Sequence, residues 1–264
     1  MIDSHCHIDL PAFDADRYGV LSRCLEKGVT GIVIPGVTPA QSDKAHRIIA
    51  DLDSHQLEGL RLWQMIGLHP QELTADYDSK QTLSSLRTIL MNAVERYRPV
   101  AIGEAGFDSR LDQALPFKAL MNLHCEIATS VGLPLCVHSV RTHNAVLQQL
   151  KRVNFAEGGI VHAFSGSYEE AMQYIDRGFA LGIGGTISYE RARKTRDAVR
   201  RVPLEAIVLE TDAPDMPLAG YQGQRNSPER LVEVANAVAE LRDIDPNQLK
   251  RATIQNTHRT LRLG

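Results

Sequence analysis

The four cysteines, Cys6, Cys24, Cys125 and Cys136, form no C-x-x-C pair, so neither a dithiol redox motif nor a paired-cysteine metal site is indicated. No stretch approaches 18 consecutive apolar residues, and a transmembrane helix is not expected. The chain opens without a basic segment followed by an apolar one, and the intact Met1 argues against a signal peptide already removed. A cytoplasmic protein with no membrane association is the expectation. An excess of basic charge is also lacking: the net charge of −3 gives no general field of the kind that non-specific nucleic-acid binders use. Any phosphate binding must be local. Long biased segments are absent too, and with 43% hydrophobic and 23% charged residues the composition is that of a globular domain rather than a disordered chain or coiled coil.

What the chain does have is a repeating alternation. Short apolar runs closed by turn residues fall at Met1 to His7, Thr30 to Gly36, Leu62 to Pro70, Pro99 to Glu104, Leu133 to His138, Gly159 to Phe164, Phe179 to Gly184 and Ala206 to Asp212. Helical stretches stand between and after them: Asp16 to Lys27, Pro39 to Leu52, Ser79 to Tyr97, Asp112 to Val131, Thr142 to Lys151, Ser167 to Arg177, Ser188 to Arg201, then Pro228 to Arg242 and Asn247 to Leu261. Eight strands alternating with helices in 264 residues is the count of a single-domain (β/α)8 TIM barrel covering residues 1–264. A doubly wound sheet would show a glycine-rich phosphate loop after an early strand. The glycines here, Gly182, Gly184 and Gly185, follow the seventh strand and lack the G-x-G-x-x-G spacing.

Barrel enzymes place their chemistry at the C-terminal ends of the strands. In Asp3-Ser4-His5-Cys6-His7 a period of two puts Asp3, His5 and His7 on one face, where two imidazoles can share an ion. Strand three ends in His69, strand four in Glu104, strand five in His138, strand six in His162 and strand eight in Asp212. Each alone has an ordinary explanation as a hydrogen-bonded core histidine or a helix cap. Together, as an unmetallated cluster, they would leave several buried polar groups unpaired at roughly 1–3 kcal/mol each. Four imidazoles and two carboxylates exceed what one tetrahedral ion needs and suit two, with a carboxylate as bridge. The nitrogen and oxygen donors suit zinc, manganese, cobalt or iron, and allow magnesium completed by water.

Asp3-Ser4-His5-Cys6-His7, Gly67-Leu68-His69-Pro70, Gly103-Glu104-Ala105-Gly106-Phe107-Asp108, His138, Val161-His162-Ala163-Phe164-Ser165-Gly166 and Glu210-Thr211-Asp212-Ala213-Pro214 run along nearly the whole chain. In these pieces the chain resembles the TatD family of metal-dependent hydrolases, relatives of the amidohydrolase barrels. The resemblance implies that His5, His7, Glu104 and Asp212 hold one divalent ion and that Glu104, His138 and His162 hold a second, Glu104 bridging. It implies cleavage of DNA or another phosphodiester by metal-activated hydroxide, with Asp212 as ligand and proton acceptor. Two departures fall on expected substrate contacts. The loop after strand eight reads Arg225-Asn226-Ser227-Pro228 where the family usually has Arg-Asn-Glu-Pro, and Val140 stands where the family often places arginine.

Around this set, His69 at the rim is expected to touch a phosphate oxygen or the leaving group. Arg225 and Asn226 are expected to contact substrate, since barrel phosphate sites use the loops after strands seven and eight. Asp3, a layer deeper, is expected to hold a ligand in place rather than be one. The basic run from Arg191 to Arg201 reads as a solvated helix face for its later part. Two other functions keep the same residues: a metal-dependent esterase or amidohydrolase acting on a small molecule or an aminoacyl ester, and a binding protein whose metal cluster is structural. No obligate protein partner is evident.

Overall fold

Short buried apolar runs make the strands here, β-branched in Gly31–Ile34, Gly159–Val161 and Ile207–Leu209, and the helices between them return the chain so that every strand points the same way. The computed structural model describes residues 1–74, 79–112 and 114–264. Its strands are β1 Ile2–Asp3, β2 Gly31–Ile34, β3 Arg61–Ile66, β4 Ala101–Asp108, β5 Leu135–Val140, β6 Gly159–Val161, β7 Phe179–Ile183 and β8 Ile207–Leu209. Each is hydrogen-bonded in parallel to the next in chain order. The seam between β8 and β1 is bridged by the Ser4 N–H donating to the Leu209 carbonyl and the Asp212 N–H donating to the His5 carbonyl, both at 2.9 Å. This is the (β/α)8 barrel that the alternation predicts.

The α-helices are α1 Arg17–Glu26, α2 Ser42–Ala50, α3 Lys80–Tyr97, α4 Phe117–Val131, α5 His143–Arg152, α6 Tyr168–Ile175, α7 Arg193–Arg201, α8 Leu231–Arg242 and α9 Pro246–Leu261. Among the described residues, none is long and apolar enough to cross a membrane. The helix expected from Asp112 starts only at Phe117, because Pro116 disfavours helical geometry at the residue before it; Gln113 of that stretch lies outside the described residues.

One residue from each strand, Ile2, Val33, Met65, Ala101, Cys136, Ile160, Ala180 and Val208, meets inside the barrel with Leu261 of α9. Burying a large aliphatic side chain of this kind contributes about 1.5–3 kcal/mol. α9 packs on β1, β6, β7 and β8 and closes the N-terminal end. A larger apolar cluster fills the space between strands and helices. The bottom of the barrel is thus filled by apolar side chains, and the polar residues collect above them, at the C-terminal mouth.

The first strand departs from expectation. It ends at Asp3, because Ser4, Cys6 and His7 donate their N–H groups to three different segments, at Leu209, Val33 and Ala213. Strand alternation therefore does not extend to His7, and Ile2 rather than Asp3 occupies the interior layer.

Candidate metal centre

Glu104 is set by the most irregular stretch of the sheet. The register between β4 and β5 shifts between Ile102 and Ala105, and such a bulge re-aims the residue within it. The peptide groups around it bond to the loop after β2 instead: Gly36 N–H donates to the Gly103 carbonyl, and Glu104 N–H to the Gly36 carbonyl, at 3.0 and 2.9 Å. A methyl on Gly36 would run into the backbone of Gly67 and Gly103. Glycine is therefore required where these three strand ends touch.

The two oxygens of Glu104 face different neighbours. Oε1 lies 3.4 Å from His5 Nε2 and 3.5 Å from His7 Nε2, and Asp212 Oδ1 lies 3.5 and 3.4 Å from the same two nitrogens. Oε2 lies 2.9 Å from His162 Nε2, 3.4 Å from His138 Nδ1 and 3.7 Å from His69 Nε2. The first four separations are too long for good hydrogen bonds. A tetrahedron with donors about 2.1 Å from its centre has edges of about 3.4 Å, which is the spacing this donor set shows. His5 Nε2 and Glu104 Oε1 are buried without a hydrogen-bond partner, and a cation would satisfy both. The residues fit a divalent metal.

Charge in the cluster follows from burial and neighbours. Burial pushes the imidazolium forms of His5 and His69 down, to about 4 in each. At His7 and His138 burial acts the same way but is outweighed, by Asp212 and Glu104 beside His7 and by Asp108 and Glu104 beside His138, so that both rise to about 9. Glu104 resists burial through the surrounding imidazoles and is held well below the usual carboxylate range; Asp212, facing His7, His162 and His5, is lowered too. Ionised carboxylates beside nitrogen donors are what a cation needs.

Around the donors stands a layer of partners. His138 turns Nε2 to Asp108 Oδ2 at 3.2 Å, which leaves Nδ1 for the cluster. Asp108 in turn receives Arg110 Nε at 3.0 and 3.1 Å on its two oxygens and the Arg110 N–H at 2.8 Å. His5 Nδ1 sits 3.5 Å from Cys136 Sγ, one layer below. Asp3 accepts from Thr211 N–H at 3.0 Å, from its hydroxyl at 2.6 Å and from His5 N–H at 3.2 Å, tying β1 to the segment that carries Asp212. Glu210 is buried against Gly182 and accepts from the Ala163 N–H at 2.6 Å, with Oε1 4.0 Å from His162 Nδ1.

The structure thus brings His5, His7, Glu104, His138, His162 and Asp212 together, and gives each of the three expected substrate contacts, His69, Arg225 and Asn226, a partner within the protein. His69 is not at the rim: it is buried with Nε2 3.2 Å from His138 Nδ1, and so joins the second donor set. Arg225 forms a two-point ion pair with Asp16 at 2.8 and 2.7 Å, donates to the Ala12 carbonyl at 2.6 Å and lies over the Phe13 ring. Asn226 is fully buried, donating to the Thr211 and Met216 carbonyls and accepting from Ser227 N–H, and so braces the loop after β8.

Four further residues matter that the strand-end reading passes over. Asp108 and Glu210 sit inside the quoted motifs, where position alone could have marked them. Arg110 lies just past one. His124 has no local signal, being a polar residue in the middle of α4; its Nε2 accepts from Leu68 N–H at 3.0 Å and so holds the segment that carries His69.

The sequence-family model described as TatD related DNase matches residues 2–262. The chain is 38% identical over 262 residues to the Escherichia coli protein named uncharacterized metal-dependent hydrolase YjjV, covering 97% of this chain and 96% of that one. It is 28% identical, across the whole of both chains, to a Yersinia pseudotuberculosis protein named 3'-5' ssDNA/RNA exonuclease TatD. The crystal structure of the Escherichia coli TatD homologue YjjV superposes with a TM-score of 0.85 over 100% of this chain and 98% of that one, at 36% identity. The barrel, the donor sets at its mouth and these matches agree: the chain belongs to the TatD-related DNase family of metal-dependent hydrolases.

Proposed function

We propose that the protein hydrolyses phosphodiester bonds of single-stranded nucleic acid, DNA in the first place, with two divalent ions held at the barrel mouth. The observation that carries this reading is the division of Glu104, one oxygen in each donor set. One ion would be held by His5, His7, Asp212 and Glu104, the other by Glu104, His138, His162 and His69. Ions bound there supply Lewis acidity toward a phosphoryl oxygen and water of lowered pKa at neutral pH. Zinc, manganese and magnesium are the candidates.

The chain's own residues then have distinct tasks. Asp212 takes up the proton from the attacking water. Asp108 holds His138 so that its Nδ1 stays directed at the cluster. Arg110, with its side chain 61% exposed beside buried Asp108, offers a fixed guanidinium to the substrate phosphate. The relatives named as 3'-5' ssDNA/RNA exonucleases support a single-stranded substrate.

The test is incubation of protein reconstituted with zinc, manganese or magnesium with end-labelled single- and double-stranded DNA, beside carboxyl esters and a Glu104→Gln control. Single-stranded DNA is expected to be shortened, and the control to be inactive. Turnover of carboxyl esters without cleavage of either DNA would reverse the reading in favour of an esterase. Metal retention without turnover of any substrate would favour a binding protein.

A further inference from the structure

On the β5 and β6 side of the metal centre a second cavity of about 470 Å³ opens, lined by Arg141, the first turn of α5, Ser165, Glu170 and Lys194. Its volume lies within the range of pockets that take small ligands. Arg141 follows His138 by three residues and Ser165 follows His162 by three, so each is at most about 11 Å of chain from a metal-centre histidine. The cavity is therefore a neighbour of the reaction site and distinct from it.

Its walls favour an anion. Thr142, at the N-cap of α5, makes no side-chain cap; its hydroxyl instead donates to the Phe107 carbonyl at 2.8 Å. The N–H groups of the first turn are left without that partner at the positive end of the helix. His143, in that turn and only 5% exposed, has an Nε2 with no hydrogen-bond partner; with Nδ1 accepting from the Tyr174 hydroxyl at 3.3 Å, Nε2 carries the proton and is a donor for an anion. Arg141 brings a cation, and Lys194 offsets the carboxylate it pairs with, so the wall carries one net positive charge. The one carboxylate in the wall, Glu170, is already engaged, its Oε2 accepting from Ser167 N–H at 2.7 Å and pairing with Lys194 Nζ at 2.9 Å.

We propose that this cavity is a second phosphate subsite, which takes the backbone phosphate of a nucleotide beside the one being cleaved. The proposal rests on the nucleic-acid reading above and adds to it where the rest of the strand lies. Such a subsite lowers KM for an oligonucleotide and does nothing for a small diester too short to reach it.

The experiment compares the intact protein with Arg141→Gln, Lys194→Gln and the double variant. Binding of fluorescein-labelled hexathymidylate is followed by anisotropy in EDTA across a salt series, and hydrolysis of bis(p-nitrophenyl) phosphate is followed with metal. The double variant is expected to bind the oligonucleotide about tenfold more weakly, as on losing one charge-assisted phosphate contact. The slope of log Kobs against log salt should fall by about 0.7, the value for one single-strand phosphate contact. Its kcat/KM for the small diester should stay within twofold of the parent. An unchanged affinity and slope, or an equal loss on the small diester, overturns the subsite. Oligonucleotide binding that weakens in the variants while the parent, loaded with metal, cleaves neither the small diester nor end-labelled DNA leaves the subsite standing and rejects the hydrolytic reading instead. If circular dichroism shows the double variant misfolded, Lys194→Gln alone decides, since the Lys194 side chain is 59% exposed.

Discussion

Oε2 of Glu104 stands 2.9 Å from Nε2 of His162, while Oε1 of the same carboxylate stands 3.4 Å from Nε2 of His5. One side chain therefore belongs to both donor sets, and its removal acts on both.

Glu104→Gln is expected to lower the metal content from about two ions per chain to one or fewer and to reduce turnover by at least about a hundredfold. Elemental analysis beside circular dichroism checks this. A variant that keeps its full metal content and activity would remove Glu104 from the bridging position.

Asp108→Asn leaves the donors in place but loosens the partner of His138 Nε2. Metal affinity or activity is expected to fall by about 10–100-fold, the range for residues that orient a ligating histidine. Metal titration with a fluorescent chelator as competitor measures it; an unchanged affinity would mean that His138 is held without Asp108.

Arg110 and Arg225 separate the two candidate phosphate contacts. Arg110→Ala should raise KM for an oligonucleotide by about tenfold with little change for a neutral ester. Arg225→Ala, whose guanidinium is held by Asp16 and the Ala12 carbonyl, should change KM by less than about twofold. Steady-state kinetics on both substrates decides, and the reverse order would restore Arg225 as the contact.

His124 links pH to stability. Burial lowers it from 6.5 to about 4, so its neutral form contributes fully above pH 6.5, and the contribution is lost as pH falls toward 4. Urea unfolding in EDTA should show the parent losing on the order of 3 kcal/mol relative to His124→Gln between pH 7 and 4. A constant difference across that range would show that His124 does not carry the effect.

Strand ends were legible because a parallel barrel sends each strand's last inward residue to one mouth. His138, His162 and Asp212 could be named from that rule, although only His138 lies within its strand; β6 stops at Val161 and β8 at Leu209, so His162 and Asp212 stand one and three residues beyond. His69 shows its limit: its position after β3 is readable, but its closeness to His138 comes from how His124 on α4 holds Leu68. Arg225 and Asn226 show the same limit in the opposite sense. A loop after β8 suggests substrate contact, yet Asp16, 209 residues away in sequence, takes the guanidinium, and burial takes the amide. The short β1 was also not legible, since the residue pattern of Met1 to His7 runs on past Asp3, where the regular strand pairing ends.

The order of elements, the barrel class and the donor types at the strand ends were determined by the sequence itself, because they depend on local periodicity and on the right-handed return of each βα unit. Only the tertiary structure decided which oxygen of Glu104 faces which histidine, that His69 joins the second donor set, and that the cation nearest Asp108 is Arg110. Those relations depend on a bulge in β4 and on contacts between residues far apart in the chain, which no local pattern encodes.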